Sequence, residues 1–327
     1  MPLTTSHPTP GGHCRRIPVL TMMLAEAVHN SDYGSLRDFS ITDKDRYELE
    51  TAAWLHDCGK VVTPEHVMDK STKLETIADR VQLIASRIEL LIRDAEIVFL
   101  QGKIEMVNSS QNFEFIEQQY KKQREQYRTD LDFINRINIG GEYMTDEDLT
   151  RVSNLAKLTW LDQSGNMQPL ITDDELVNLC IRRGTLNDNE REVINNHIVA
   201  TIKMLESLPF PKNLQNVPEY AGGHHERMDG TGYPKGLKKE EMSIQARIMA
   251  IADIFEALTA DDRPYKSGKK LSECLKIMGL MKKDNHIDPE IFDIFVKNKV
   301  YLEYAEEFLD PEQIDEIDEL VIPGYLI

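Results

Sequence analysis

The sequence predicts an all-α protein. Apolar residues recur at spacings of three, four and seven over long stretches, helix-capping residues stand before several of them, and no run of alternating apolar residues reads as a strand. At 327 residues, 41% hydrophobic and 29% charged, the chain can build one large domain or two ordinary ones and is too apolar for wholesale disorder. The 38 basic and 56 acidic residues leave a formal charge of −18. Such a surface repels duplex nucleic acid and anionic lipid, so neither a nucleic-acid nor a membrane partner is expected. An anionic substrate would need a local positive centre of metal ions or a few placed Lys and Arg. Cys14, Cys58, Cys180 and Cys274 are scattered with no CxxC pair, which argues against a disulfide framework or zinc ribbon and fits a reducing compartment. No stretch reaches the roughly 18 apolar residues of a membrane span. The short run Ile17–Ala25 passes straight into a polar helix pattern with no cleavage site, so a cytoplasmic protein is expected.

Each element has its own justification. A first helix over about 13–30 sets Leu20, Met23, Leu24, Ala27 and Val28 on one face. A second, over about 42–58, opens at Thr42 or Asp43 and is expected to stop at Gly59. Residues 63–73 read as loop with a short helix at most. The stretch 75–137 has no Pro and only Gly102, and predicts two long helices, about 75–107 and 112–137. Ile77, Val81, Ile84, Ile88, Leu91, Ala95 and Val98 form the stripe of a helical hairpin or coiled-coil arm, built for packing or oligomerisation. Residues 138–185 read as loop and short helix. A helix over about 188–207 is capped by Asn187, with Glu190 completing a capping box and Pro209 beyond its end. Helices over about 217–227 and 243–260 follow.

Four clusters carry chemistry. His56 and Asp57, in Ala52-Ala-Trp-Leu-His56-Asp57-Cys-Gly-Lys60, close a helix with adjacent imidazole and carboxylate able to converge on one ion. The pair alone is weak evidence, but it follows apolar helix residues, and a buried carboxylate without a partner is costly. Lys60, just beyond, could reach an anion. His224 and His225 precede the Gly-rich turn Asp229-Gly-Thr-Gly232-Tyr233-Pro234, and read equally as metal ligands or a surface pair. Asp253 lies mid-helix on the face of Met249, Ala250 and Ala257, where a cation explains it better than a cap or salt bridge. His197 sits beside an apolar stripe and by itself reads as a core histidine; His13, before an apolar helix, is ambiguous. Together the seven form a donor set without thiolate, which suits iron or manganese better than structural zinc.

These stretches resemble the HD-GYP phosphodiesterases, a branch of the HD metallohydrolase superfamily. The resemblance rests on His56-Asp57-Cys-Gly-Lys60, on His224-His-Glu-Arg-Met-Asp-Gly-Thr-Gly-Tyr-Pro234, and on Ala252-Asp253-Ile-Phe-Glu-Ala-Leu-Thr259 with Asp262-Arg-Pro-Tyr-Lys266. It covers about 13–75 and 185–300. It implies an HD-type helical bundle, with the whole of 1–327 a single catalytic domain interrupted by a helical insertion at about 75–184. The implied activity is hydrolysis of a bacterial cyclic dinucleotide, cyclic di-GMP or 3′,3′-cyclic GMP-AMP, to a linear dinucleotide by a hydroxide held between two metals. Asp57 would be the bridge, and His13, His56, His197, His224, His225 and Asp253 the remaining ligands. Lys60 would meet the scissile phosphate, Arg263 and Lys266 the second phosphate, and Gly232, Tyr233 and Pro234 would form the loop beside the base pocket. Three-metal members carry a glutamate four residues before the first histidine; Thr9 stands there, so two metals are expected. Two rivals remain: an HD hydrolase of mononucleotides, which the GYP block disfavours, and a catalytically silent cyclic-dinucleotide receptor signalling through the helical arm. A homodimer through that arm is the expected assembly.

Overall fold

The computed structural model describes residues 12–106, 114–141, 143–261 and 268–325. In chain order the helices are α1 (Gly12–His29), α2 (Asp43–Leu55), α3 (Glu65–Met68), α4 (Val81–Met106), α5 (Glu114–Asn138) and α6 (Asp146–Leu155). A hairpin of β1 (Thr159–Leu161) and β2 (Met167–Pro169) comes next, then α7 (Asp173–Leu179), α8 (Asp188–Asn195) and α9 (His197–Glu206). The chain ends with α10 (Val217–Gly222), α11 (Ile244–Thr259), α12 (Leu271–Lys283), α13 (Pro289–Lys297) and α14 (Val300–Phe308). The fold is all-α. No helix among the described residues is long and apolar enough to cross a membrane.

The chain divides into two compact units, one of residues 1–63 with 195–327 and the other of 64–194. In the first, α1 lies between α2 and α11. Ile17, Leu20 and Leu24 of α1, Leu49 and Ala52 of α2, and Ile248 and Phe255 of α11 are fully buried in one cluster that extends to Phe292, Phe295 and Tyr304. A buried side chain of this size gains about 1.5–3 kcal/mol on leaving water, so this cluster fixes where α1, α2 and α11 meet. Helix α2 starts on a complete capping box, with the Thr42 hydroxyl accepting from Asp45 N and Asp45 accepting from Thr42 N at 2.7 Å.

Gly59 does not end α2 as expected. The helix stops at Leu55, and Gly59 lies inside a 3₁₀ turn, Cys58–Val62. A Cβ on Gly59 would stand 2.1 Å from His197 O and 2.5 Å from Thr201 N, so glycine is required for this turn to touch the backbone of α9. The helix expected over 188–207 is two, α8 and α9, separated at Asn196, although its capping box forms as read: Asn187 Oδ1 accepts from Glu190 N at 3.0 Å and Glu190 from Asn187 N at 2.9 Å. Helix α10 ends five residues short of 227, which places His224 and His225 in the turn beyond it.

In the second unit α4 and α5 form an antiparallel hairpin. Ile84 and Ile88 of α4 meet Phe133, Ile134 and Ile137 of α5, with Val152, Leu170 and Leu179 completing the cluster. Helix α4 begins at Val81 rather than 75, and Ile77 is 97% and Val98 67% exposed, so the packed stripe is shorter than expected. The β-hairpin was not anticipated. Its strands are three residues each, too short for alternation to register, and its turn is set by Asp162, whose Oδ1 accepts from Ser164 N and Asn166 N, with Gly165 at φ +81°.

Lys73 is fully buried in this unit, its Nζ 2.7 Å from Met144 Sδ and 3.2 Å from Leu179 O. Burial pushes its pKa down to about 8 from 10.5. Below about pH 8 the folded unit carries the cost of a buried ammonium. Between about 8 and 10.5 the folded chain sheds that proton before the unfolded chain does, and the cost is relieved. Lys73→Met should therefore stabilise the chain by on the order of 3 kcal/mol below pH 8, the gain shrinking as pH rises through 10.5. Urea unfolding of both proteins across that range checks it; a gain that grows with pH would contradict the assignment.

Candidate metal centre

Five elements of the first unit bring the expected ligands together. His13 stands on the first turn of α1; His56 and Asp57 follow the last turn of α2; His197 opens α9; His224 and His225 follow α10; Asp253 lies mid-way along α11. His56 and His224 are oriented by the same device. Nδ1 of each donates to the carbonyl three residues back, Ala53 O and Ala221 O, both at 2.7 Å. A carbonyl only accepts, so Nδ1 carries a proton, and it is Nε2 that can offer a lone pair to a cation when the ring is neutral.

The donors fall into two groups, each within 4.8 Å: His13, His56 and Asp57, and His197, His224 and His225. Asp57 joins them. Its Oδ2 lies 3.4 Å from Nε2 of both His13 and His56, while its Oδ1 lies 3.2 Å from His197 Nε2. Asp253 closes the first group, its Oδ1 3.4 Å from His13 Nε2 and 3.7 Å from His56 Nε2. In the second, His225 Nε2 is 3.2 Å from His197 Nε2.

Nε2 of His13, His56 and His224 and Oδ1 of Asp57 are buried without a hydrogen bond. Each such atom costs about 1–3 kcal/mol, and four converge on one place. Divalent metal ions would meet that need, so the residues fit them. The electrostatics agree. Burial alone would raise Asp57, but His13, His197 and His56 hold its carboxyl well below the usual range. Burial works against charge on His13 and His56, yet the carboxylates prevail, pushing His13 up to about 12 through Asp253, Asp57 and Glu256, and His56 up to about 9. In the other group burial and the neighbouring imidazoles push His224 well down, and burial takes His225 down to about 4.

Lys60 lies on the 3₁₀ turn with its Nζ on Asp57 Oδ2 and its side chain 38% exposed. The Tyr233 ring stacks on His225 with centroids 4.9 Å apart and 19° between planes, and Tyr233 N donates to His225 O at 3.2 Å. The peptide bond Tyr233–Pro234 is cis. A Cβ on Gly232 would come within 2.5 Å of Glu226 Cα, so the loop lies flat against the histidine turn. Arg263, Lys266 and Thr9 lie outside the described residues.

Two carboxylates beside the centre were not singled out from the sequence. Glu226, 1% exposed, accepts from Lys235 N at 2.7 Å and Leu237 N at 2.9 Å and so ties the Gly232-Tyr233-Pro234 loop to the turn of His224 and His225. Glu256, fully buried, accepts from His13 Nδ1 and from Arg16 Nε, the latter at 2.8 Å. The available signal was position: Glu226 directly follows the two histidines, and Glu256 lies one helical turn after Asp253.

Residues 171–291 match the family model described as HD domain. The match spans 121 of the 327 residues. The chain is also similar to bacterial phosphodiesterases, in agreement with the resemblance read from the motifs. A 3′3′-cGAMP-specific phosphodiesterase of Vibrio cholerae is 37% identical over 129 residues, 39% of this chain and 28% of the relative. A cyclic di-GMP phosphodiesterase of Pseudomonas aeruginosa is 36% identical over 151 residues, 46% of this chain and 33% of the relative. A cyclic di-GMP phosphodiesterase of Thermotoga maritima is 35% identical over 119 residues, 36% of this chain and 32% of the relative. The chain thus spans about a third of the length of these relatives.

Proposed function

We propose that this chain is a metal-dependent phosphodiesterase that opens a bacterial cyclic dinucleotide, cyclic di-GMP or 3′,3′-cyclic GMP-AMP, to the linear dinucleotide. The observation that carries it is Asp57, whose two oxygens face two separate groups of imidazoles holding unpaired buried nitrogens. His13, His56, Asp57 and Asp253 would hold one divalent ion, and Asp57, His197, His224 and His225 another; the nitrogen and oxygen donors suit iron or manganese. Such a pair supplies Lewis acidity toward phosphate oxygens and a nucleophile from water at neutral pH.

The chain's own residues do the rest. Asp57 spans both groups and sets their separation. Lys60 offers a partly exposed ammonium beside Asp57, a counter-charge for the scissile phosphate in a protein whose net charge is −18. Tyr233, stacked on His225, and Glu226, which ties the loop down, keep Gly232, Tyr233 and Pro234 beside the centre. By the resemblance, Arg263 and Lys266 hold the second phosphate. The names of the relatives support the substrate class, and free thiols at Cys14, Cys58, Cys180 and Cys274 support a cytoplasmic setting. For the assembly we favour a homodimer through the helical insertion. Leu83, Leu90, Ile97 and Ile104 of α4 recur every seven residues and are 52%, 40%, 51% and 70% exposed, the repeat of a helix that packs against another.

Metal-loaded protein incubated with each dinucleotide should release the linear product on chromatography. Asp57→Ala should retain no more than a few per cent of that turnover at unchanged helical content. Binding without turnover would favour the silent receptor, and turnover of mononucleotides alone a different HD hydrolase. In sedimentation the wild-type chain should have twice the mass of an Ile97→Glu variant; equal masses would rule the dimer out.

A further inference from the structure

We infer that Glu256, backed by Arg16, is a positioning residue for His13, holding its Nε2 in the first ligand group with His56, Asp57 and Asp253. The inference rests on the reading of this centre as a binding site for divalent cations.

His13 differs from the other oriented histidines in what is available to hold it. His56 and His224 each follow a completed helical turn and bond the carbonyl three residues back. For His13 the partner of Nδ1 is instead a side chain of another helix, Glu256 of α11. Its ring is 25% exposed, against 1% for His56, so packing restrains it less. That carboxylate is the group that orients the ring. Oε2 of Glu256 takes the Nδ1 proton of His13, which directs Nε2 to within 3.4 Å of both Asp57 Oδ2 and Asp253 Oδ1.

Helical periodicity makes the arrangement specific. His13 and Arg16 are three apart on α1, and Asp253 and Glu256 three apart on α11, so each pair shares a face. The two faces meet, His13 against Asp253 and Glu256, and Arg16 against Glu256. A fully buried carboxylate needs a cation, and Arg16 provides one on Oε1 while leaving Oε2 for His13. A carboxylate behind a ligand histidine fixes its tautomer and raises its basicity, and removing such a partner typically costs about 10–100-fold in metal affinity.

The test compares the full-length wild type with Glu256→Gln and Glu256→Ala. Each is loaded anaerobically with manganese, dialysed, and analysed for metal per chain, metal affinity and helical content. The wild type should hold about two ions. Glu256→Ala should hold about one, with affinity for the lost ion down about 10–100-fold and helical content unchanged. Glu256→Gln, whose amide oxygen can still accept from Nδ1, should recover the second ion in excess manganese. A Glu256→Ala protein with the wild type's metal content and affinity would overturn the inference while leaving the cation reading intact. So would loss of both ions from both variants in step with helical content, the signature of a salt bridge that merely joins α1 to α11. A wild type that binds no manganese, iron or other divalent ion would remove the cation reading and this inference with it.

Discussion

The first unit is organised around a carboxylate that it cannot leave alone. Asp57 is 8% exposed and sits among the imidazoles of its neighbour His56 and of two other elements, α1 and α9. Removing such a charge from water costs several kcal/mol unless paired groups repay it. The partners come from α1, the end of α2 and α9, while α11 adds Asp253 and the turn after α10 adds His224 and His225. Those elements must therefore converge, and the apolar cluster of Ile17, Leu20, Ala52, Ile248 and Phe255 allows it by packing α1 directly on α2 and α11. Gly59 has the same origin: the turn after Asp57 must lie on the backbone of α9 for His197 to reach Oδ1, and any Cβ would hold the two apart.

How much of this was legible in the sequence follows from where each signal is stored. The helices were readable because their apolar spacing and caps are local, as at Thr42 and Asn187. Asp253 stood out by its mid-helix apolar surroundings, whereas His56 with Asp57 was weak evidence and His224 with His225 read equally as a surface pair until the motifs around them were considered. His197 and His13 were ambiguous until the fold placed them against Asp57. Glu256 was missed because its partners, His13 and Arg16, lie about 240 residues away, and a glutamate in a helix is ordinarily a solvated residue. Glu226 was missed for a different reason: its partners are backbone amides, which no sequence pattern displays. Gly59 was read as a helix stop because glycine often serves that purpose, whereas here it serves close approach. The division of α8 from α9 at Asn196 had no sequence signal stronger than the helical pattern crossing it.

On the proposed function, the centre would also reconcile the acidic composition with an anionic substrate. At −18 the chain as a whole repels a dinucleotide. The Lys60 ammonium and the cations that the buried nitrogens call for would supply positive charge at the proposed site. The loop of Gly232, Tyr233 and Pro234 is attached there by Glu226 and by the ring of His225, so the part of the fold that would face a base is tied to the part that would face a phosphate.

The central claim is that Asp57 bridges two ions, and its most direct test is magnetic. Manganese-loaded wild-type protein should give the electron paramagnetic resonance spectrum of an exchange-coupled pair. Asp57→Asn should convert it to that of isolated ions or lose an ion altogether. A wild-type spectrum showing only isolated ions, or a coupled pair unchanged in Asp57→Asn, would contradict the account.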